Sequence, residues 1–269
     1  MEIAEGNGGI GNRLLGDPAA LQERVMRVLA ERAEWESRCA GEACHEVWTS
    51  SVMLLLGLQR TGNGRSPEPC VILNKRSKLV RQAGDLCCPG GTVEGRVDPY
   101  LARALELPGF PLSRWPHWRS LRRKRPEEAR LLSVYLAAAF RESWEEMRLN
   151  PFGIRFLGAL PAQCLVLFKR VIHPMVGWVV RQDRFTPSRE VDRVVSIPLR
   201  RLLDPSRYAR YGLIVPRRLE WRFAGRGERE FPCFVFEDAG RTEVLWGVTY
   251  RIVTLLLDLT FGFHPPGDL

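Results

Sequence analysis

The sequence predicts an α/β protein in which a mixed β-sheet lies between helices. Three observations lead there. Strand-like and helix-like runs alternate with strands in the majority, the pattern of a sheet flanked by helices. One run, Leu131 to Leu149, is strongly helical. Hydrophobic residues at 45% and charged residues at 26% are ordinary globular values for a chain of 269 residues. That length suits one well-cored domain with insertions better than two equal domains. The composition excludes wholesale disorder, a collagen-like fibre and a disulfide miniprotein.

Residues 1–17 are Gly-rich and aperiodic, so a mobile start is expected. Pro18 to Ser37 follows with Leu21, Val25, Val28 and Leu29 at helical spacing, which predicts an amphipathic helix. A β-rich run from Val47 to Leu58, the turn-forming stretch Thr61 to Pro69 and a second run, Cys70 to Leu73, read as a hairpin with a long connection. Gln82 to Thr92 is a Gly-rich loop. After the strong helix come strand-like runs at Ile154 to Leu160, Met175 to Val180 and Val194 to Ile197, then at Glu230 to Phe236 and Val244 to Trp246. A helix from about Gly247 to Leu259 closes the chain, and no internal repeat is present.

The longest apolar runs, Val52 to Leu58 and Ile252 to Leu259, are too short to cross a bilayer, which takes about 20 apolar residues. The first residues lack the basic and apolar regions of a secretory signal, so a cytoplasmic, reducing location is expected. Seven cysteines without a CxxC pair fit plain thiols for the most part; Cys39, Cys44 and His45 match no zinc spacing. Forty Lys plus Arg against thirty-one Asp plus Glu give +9, a field that attracts nucleic acid, an acidic membrane surface or a phosphorylated metabolite. Residues 96–126 hold much of the excess, with eight basic against two acidic side chains, a net +6, together with five prolines, Trp115 and Trp118. This segment could form a phosphate-binding lid, pair and stack with single-stranded nucleic acid, sit against an anionic membrane, or be a solvated excursion.

Within the strong helix, Glu142, Glu145 and Glu146 stand at i, i+3 and i+4, on one face about 5–6 Å apart at Cβ. Such carboxylates repel by about 0.2–0.5 kcal/mol per pair, which a solvated face tolerates and a hard divalent cation turns into a gain. The histidines at 45, 117, 173 and 264 show no dyad spacing, and His173-Pro174 reads as structural. No Gly-x-Ser-x-Gly elbow, Walker loop or dinucleotide Gly fingerprint is present, which disfavours serine hydrolase, P-loop and Rossmann readings.

Pro89-Gly-Gly91 and Arg141-Glu-x-x-Glu-Glu146 resemble the two ends of the Nudix box, G-x5-E-x7-R-E-U-x-E-E-x-G-U. Arg76-Ser77, Arg81 and Gly84 to Gly91 resemble the approach to the box in the coenzyme A diphosphatase branch, with Cys88 where that branch usually has Phe. Glu190 to Leu199, Leu202 to Pro205 and Leu245 to Arg251 are similar to later signatures of the same branch. The likeness spans roughly residues 47–260. It divides the chain into an N-terminal tail and helix, 1–46, and a Nudix-like hydrolase domain, 47–269, whose box is split by the basic Pro/Trp-rich insert at about 96–130. Gly91 to Arg141 is fifty residues where the usual box has fourteen. Two positions depart from the pattern. The usual first Glu, counted back from the Arg, falls on Ser133, and the Gly near the end is Arg148. Ser133 can neither ligate as a carboxylate nor partner Arg141, and Glu127 and Glu128 lie about one turn further back.

The resemblance implies a Nudix-type α/β/α sandwich and metal-dependent hydrolysis of a pyrophosphate bond. The substrate would be an anionic nucleoside diphosphate linked to another moiety, coenzyme A or acyl-coenzyme A first. It further implies Mg²⁺ or Mn²⁺ on Glu142, Glu145 and Glu146, with the Gly90 carbonyl as another ligand. Arg141 would orient those carboxylates, Glu190 would serve as a further ligand or general base, and Arg76 and Arg81 would contact phosphates. The pair Gly90-Gly91 allows close backbone approach. The alternatives are another Nudix pyrophosphatase, acting on a nucleotide sugar, a dinucleotide or capped RNA, and a non-catalytic nucleotide- or nucleic-acid-binding protein of the same fold. A homodimer is an open expectation.

Overall fold

The computed structural model describes residues 11–31, 48–59, 67–165, 169–214, 228–238 and 240–266. Cys39, Cys44 and His45, the tail before Gly11, the first helix beyond Glu31 and most of the 61–69 connection lie outside them. In chain order the elements are α1 (Pro18–Glu31), β1 (Trp48–Gln59), β2 (Glu68–Arg76), β3 (Leu86–Cys87), β4 (Gly90–Thr92), α2 (Asp98–Leu105), α3 (Trp118–Lys124) and α4 (Pro126–Met147). Then follow β5 (Ile154–Ala159), β6 (Gln163–Leu165), β7 (Arg170–Val179), β8 (Val191–Pro198), α5 (Leu199–Leu202), β9 (Tyr208–Ile214), β10 (Glu228–Asp238), β11 (Arg241–Trp246) and α6 (Gly247–Phe261).

Strand β1 is the axis of the sheet. It runs antiparallel to β2 and β4 and parallel to β7, while β7 pairs antiparallel with β5 and β6 and β2 with β3 and β8. Side chains on a strand alternate between faces, and β1 and β2 are apolar on both. Leu54, Leu56, Val71 and Leu73 join one core cluster with residues of α1 and α6. Met53, Leu55, Cys70 and Ile72 join another with residues of α2, α3 and α4. A mixed sheet buried between two helical layers results, as the alternation of elements predicted, and this is the α/β/α sandwich that the motif resemblance implied. A separate antiparallel sheet, ordered β11-β10-β9, carries the C-terminal hairpin.

Several local expectations need correction. Residues 11–16 are helical and Leu15 is buried, so the aperiodic start ends before Gly11. Helix α4 begins at Pro126, five residues before the expected start, because proline fits the first helical position, where its missing N–H leaves no bond unmade. Strands β3, β4, β6 and β9 and helices α2 and α3 are too short, or too poor in apolar periodicity, to have been read. Cys70, Cys87, Cys88 and Cys233 are free thiols, whereas Cys164 is disulfide-bonded.

The basic segment is neither a solvated excursion nor a stacking platform. Leu112, Trp115 and Trp118 are buried, and Trp115 meets Phe156 of β5 edge-on at 5.2 Å between ring centroids. The segment is pinned further by Arg114, whose guanidinium donates to the Ile154 carbonyl at 3.1 Å. With both indoles buried, stacking on nucleobases is closed to them. Arg119, Arg122, Arg123 and Lys124 stay exposed because they occupy the outer side of α3.

Two measurements test this packing. Trp118→Ala is expected to lower unfolding free energy by about 3–5 kcal/mol in urea titration, the cost of deleting a large buried aromatic; a change below about 0.5 kcal/mol would restore the solvated reading. His173, stacked on Tyr135 of α4 at 3.9 Å between centroids, is pushed down to about 4 by burial. Its depressed value means the unfolded chain binds the extra proton first. Stability from this residue is therefore full above about pH 6.5 and drains as pH falls toward 4. Between pH 7 and 5 the wild type should lose about 1–2 kcal/mol more than His173→Phe; parallel curves would contradict it.

Candidate active site

The acidic face of α4 is organised by Arg141, which is only 10% exposed. Its Nε donates to Asp98 Oδ1 at 2.9 Å and one terminal nitrogen to Asp98 Oδ2 at 3.3 Å and to the Thr92 carbonyl at 3.0 Å. The other terminal nitrogen donates to Glu142 Oε1 at 3.0 Å and lies 3.6 Å from Glu145 and 3.5 Å from Glu94. A guanidinium presents five N–H donors in a fixed fork, so this geometry ties α4 to β4 and α2 at once. The Asp98 bond is the main reason the Arg141 proton is held more tightly than usual.

Asp98 was not among the sequence candidates, and it answers the question raised by Ser133. Ser133 is buried and donates to the Arg130 carbonyl within its own helix at 2.8 Å. Glu127 is exposed, and Glu128 pairs with Arg125 at 3.4 Å. The carboxylate paired in two-point fashion with Arg141 comes from the start of α2, where Asp98 is fully buried and also accepts from the Glu94 amide at 2.6 Å. Counting forward from Gly91 would have pointed close to it, since the usual spacing lands on Val97, one residue short. Counting back from Arg141 crosses the long segment and misses.

Gly90 and Gly91 are required by proximity. Gly90 has φ +151°, and a Cβ there would sit 2.4 Å from the Ser51 carbonyl of β1. At Gly91 a Cβ would sit 2.4 Å from the Glu142 carboxyl. A side chain at residue 91 would displace the Glu142 carboxyl from its place beside the strand. Gly90 lies close enough for its backbone to act on Glu146. Asn74 of β2 donates from Nδ2 to Glu146 Oε2 at 2.8 Å. Burial pushes Glu146 up to about 7 against the Asn74 hydrogen bond, and the neighbouring Glu142 adds to the rise. Glu142 is raised as well, again by burial first, with Arg141 opposing.

The other sequence candidates are placed unequally. Arg76, at the end of β2, donates from Nε to the Arg81 carbonyl at 2.7 Å, and its charge acts on Glu146. Arg81 itself is exposed, and its contribution to that bond is a backbone oxygen. Glu190 is exposed at the entry to β8; its backbone bonds Ser77, while Ser188 donates to the Glu146 carbonyl at 2.7 Å and ties this loop to the end of α4. Arg148 closes α4 with φ +55° and ψ +43°, a left-handed conformation that favours glycine. Its guanidinium lies over the Trp144 ring, 5.3 Å from the centroid. Cys88 is buried and its thiol raised by burial, so it fills apolar space.

Among the described residues, no group of three or more Asp, Glu, His or Cys side chains is gathered tightly enough to enclose a metal ion. The donor chemistry nevertheless fits a hard divalent cation. Glu142 and Glu146 are half-buried carboxylates whose values are raised by burial first, and Glu145 stands exposed on the same face, a set of hard oxygen donors on one helix.

No family model matches the chain, and no curated protein does. Among solved structures, a MutT/nudix family protein from Enterococcus faecalis covers 86% of this chain and 68% of its own at 12% identity, with a TM-score of 0.39. A NUDIX hydrolase from Alicyclobacillus acidocaldarius covers 60% of this chain and 83% of its own at 14% identity and TM-score 0.38. The NUDIX domain of Shewanella oneidensis NrtR, solved with ADP ribose, covers 65% and 85% at 16% identity and TM-score 0.34. At these scores the likenesses add nothing to what the geometry itself supports.

Asp98→Ala should lower unfolding free energy by about 2–4 kcal/mol, because it leaves Arg141 without its main buried partner, whereas Ser133→Ala should cost about 1 kcal/mol or less. Urea titration of both variants decides; an Asp98 effect no larger than that of Ser133 would remove Asp98 from this role.

Proposed function

We propose that this chain is a metal-dependent hydrolase of the Nudix type. It would cleave the phosphoanhydride bond of a nucleoside diphosphate linked to another moiety, with coenzyme A or acyl-coenzyme A as the leading substrate. The observation that carries the reading is the Arg141 network: one helix presents Glu142, Glu145 and Glu146, with its arginine locked to Asp98 beneath a double-glycine strand edge. The motif resemblance supplies the substrate preference.

A phosphoanhydride repels nucleophiles, so its hydrolysis needs charge neutralisation at the phosphates and an oriented water. In this reading Glu142, Glu145 and Glu146 hold Mg²⁺ or Mn²⁺, which when bound neutralises the diphosphate and polarises phosphorus. Arg141 fixes the Glu142 carboxylate by a charge-assisted hydrogen bond. Asn74 restrains Glu146, and the Gly90 carbonyl would be a further ligand. Arg76 carries positive charge next to the cluster and is the better placed of the two arginines for a phosphate; Arg81, on the exposed loop, would reach the 3′-phosphate or diphosphate only from outside. Glu190 is assigned the general base or an additional ligand, supported by the Ser188 bond that holds its loop to α4.

The test is Mg²⁺- and Mn²⁺-dependent turnover of coenzyme A, acetyl-coenzyme A, ADP-ribose, NADH and a dinucleoside polyphosphate, with products resolved by mass. Release of adenosine 3′,5′-bisphosphate from the coenzyme A compounds is the expected result. Preference for another compound keeps the reaction and overturns the substrate; no turnover with any of them favours the non-catalytic nucleotide binder. Glu145→Gln should lower kcat at least about a hundredfold with the fold intact, since the side chain is 56% exposed. An unchanged rate would sink the metal assignment.

A further inference from the structure

Asn74 occupies a position that the sheet would otherwise give to an apolar side chain. Cys70, Ile72 and Asn74 alternate onto the α4 side of β2, and the first two belong to the core there. Its backbone sits mid-sheet, opposite Cys87 of β3 on one side and Val194 of β8 on the other. The residue has no solvent exposure. Asn is depleted in strands, and a buried amide is costly unless both ends are bonded. Here only one end is: Nδ2 donates to Glu146 Oε2 at 2.8 Å, while buried Oδ1 has no hydrogen-bond partner among the described residues. An orphaned acceptor of this kind costs about 1–3 kcal/mol, so Asn74 is a poor choice for stability alone. Its one strong contact is with a carboxylate of the candidate site.

We propose that Asn74 is a positioning residue, which fixes the Glu146 carboxylate by one oxygen and leaves the other oriented for a divalent cation. The proposal rests on the metal-dependent reading above. Partners that hydrogen-bond a ligating carboxylate fix its orientation, and their loss typically costs about 10–100-fold in metal affinity. The flanking residues keep this strand position rigid. Lys75 donates to the buried Glu243 of β11 at 2.8 Å, and Arg76 bonds the Arg81 carbonyl. Asn74 therefore acts from a fixed platform.

The experiment is Mn²⁺ binding to the full chain without substrate, followed by electron paramagnetic resonance, alongside thermal unfolding. Asn74→Leu is nearly isosteric and removes both the donor and the orphaned oxygen. Mn²⁺ affinity should fall at least about tenfold, while the melting temperature of the metal-free protein stays level or rises. Placed in a Glu146→Gln background, the same substitution should change affinity less than about twofold, because its effect runs through Glu146. If Asn74→Leu does not fold, Asn74→Thr, β-branched and too short to reach Oε2, takes its place with the same expectations. Unchanged affinity overturns the proposal, as does an equal loss in both backgrounds. A lower melting temperature with affinity retained marks a merely structural residue and also overturns it. A wild type that binds no Mn²⁺ and turns over nothing overturns the parent reading and this one with it, whereas a wild type that binds while Asn74→Leu binds equally well removes Asn74 alone.

Discussion

A single guanidinium, that of Arg141, holds the candidate site together. It is largely buried, and a buried cation survives only where oxygens surround it. Asp98 supplies two of them, Thr92 a carbonyl and Glu142 a carboxylate oxygen. These come from α2, β4 and α4 itself, so satisfying one charge fixes the relation of three elements. Gly91 answers to the same arrangement: with Arg141 holding Glu142 beside the sheet, a Cβ at residue 91 would meet that carboxyl.

Around this centre lies a second layer of support. The β9–β11 sheet grips the main sheet next to the site through the Trp246 indole, which donates to Asp85 at 3.1 Å, and through Glu243, which accepts from both Lys75 and Arg193. Arg193 also pairs with Asp238. The C-terminal hairpin therefore braces β2 and the Gly-rich loop, the two pieces that bring Asn74, Arg76 and Gly90 to α4. The basic segment contributes from the opposite side, where Trp115 and Trp118 fill the core beside α4 and anchor the helix that begins with Asp98.

The long strands and both long helices were legible because apolar spacing repeats over enough residues to stand out. The face of Glu142, Glu145 and Glu146 was legible for the same reason, since helical spacing alone places them together. Asp98 was not, because 43 residues separate it from Arg141 and no periodic pattern spans such a gap. Asn74 was hidden in a strand whose run of apolar neighbours gives no reason to single it out. In the basic segment the composition misled. Arginines and prolines dominate the string, yet the few large apolar side chains decided its packing through the area they bury.

By itself the sequence determined, through local spacing, a mixed sheet flanked by helices and a helix with three carboxylates on one face; the double-glycine approach and the α/β/α layering were implied by the motif resemblance. Tertiary structure alone decided which acid answers Arg141, that Asn74 meets Glu146, that the Trp-bearing segment belongs to the core, and that a left-handed Arg148 ends the helix. The physical reason is common to these outcomes. Buried charges and buried aromatic area select partners by distance in space, and the chain closes those distances only when the sheet and its helices have packed.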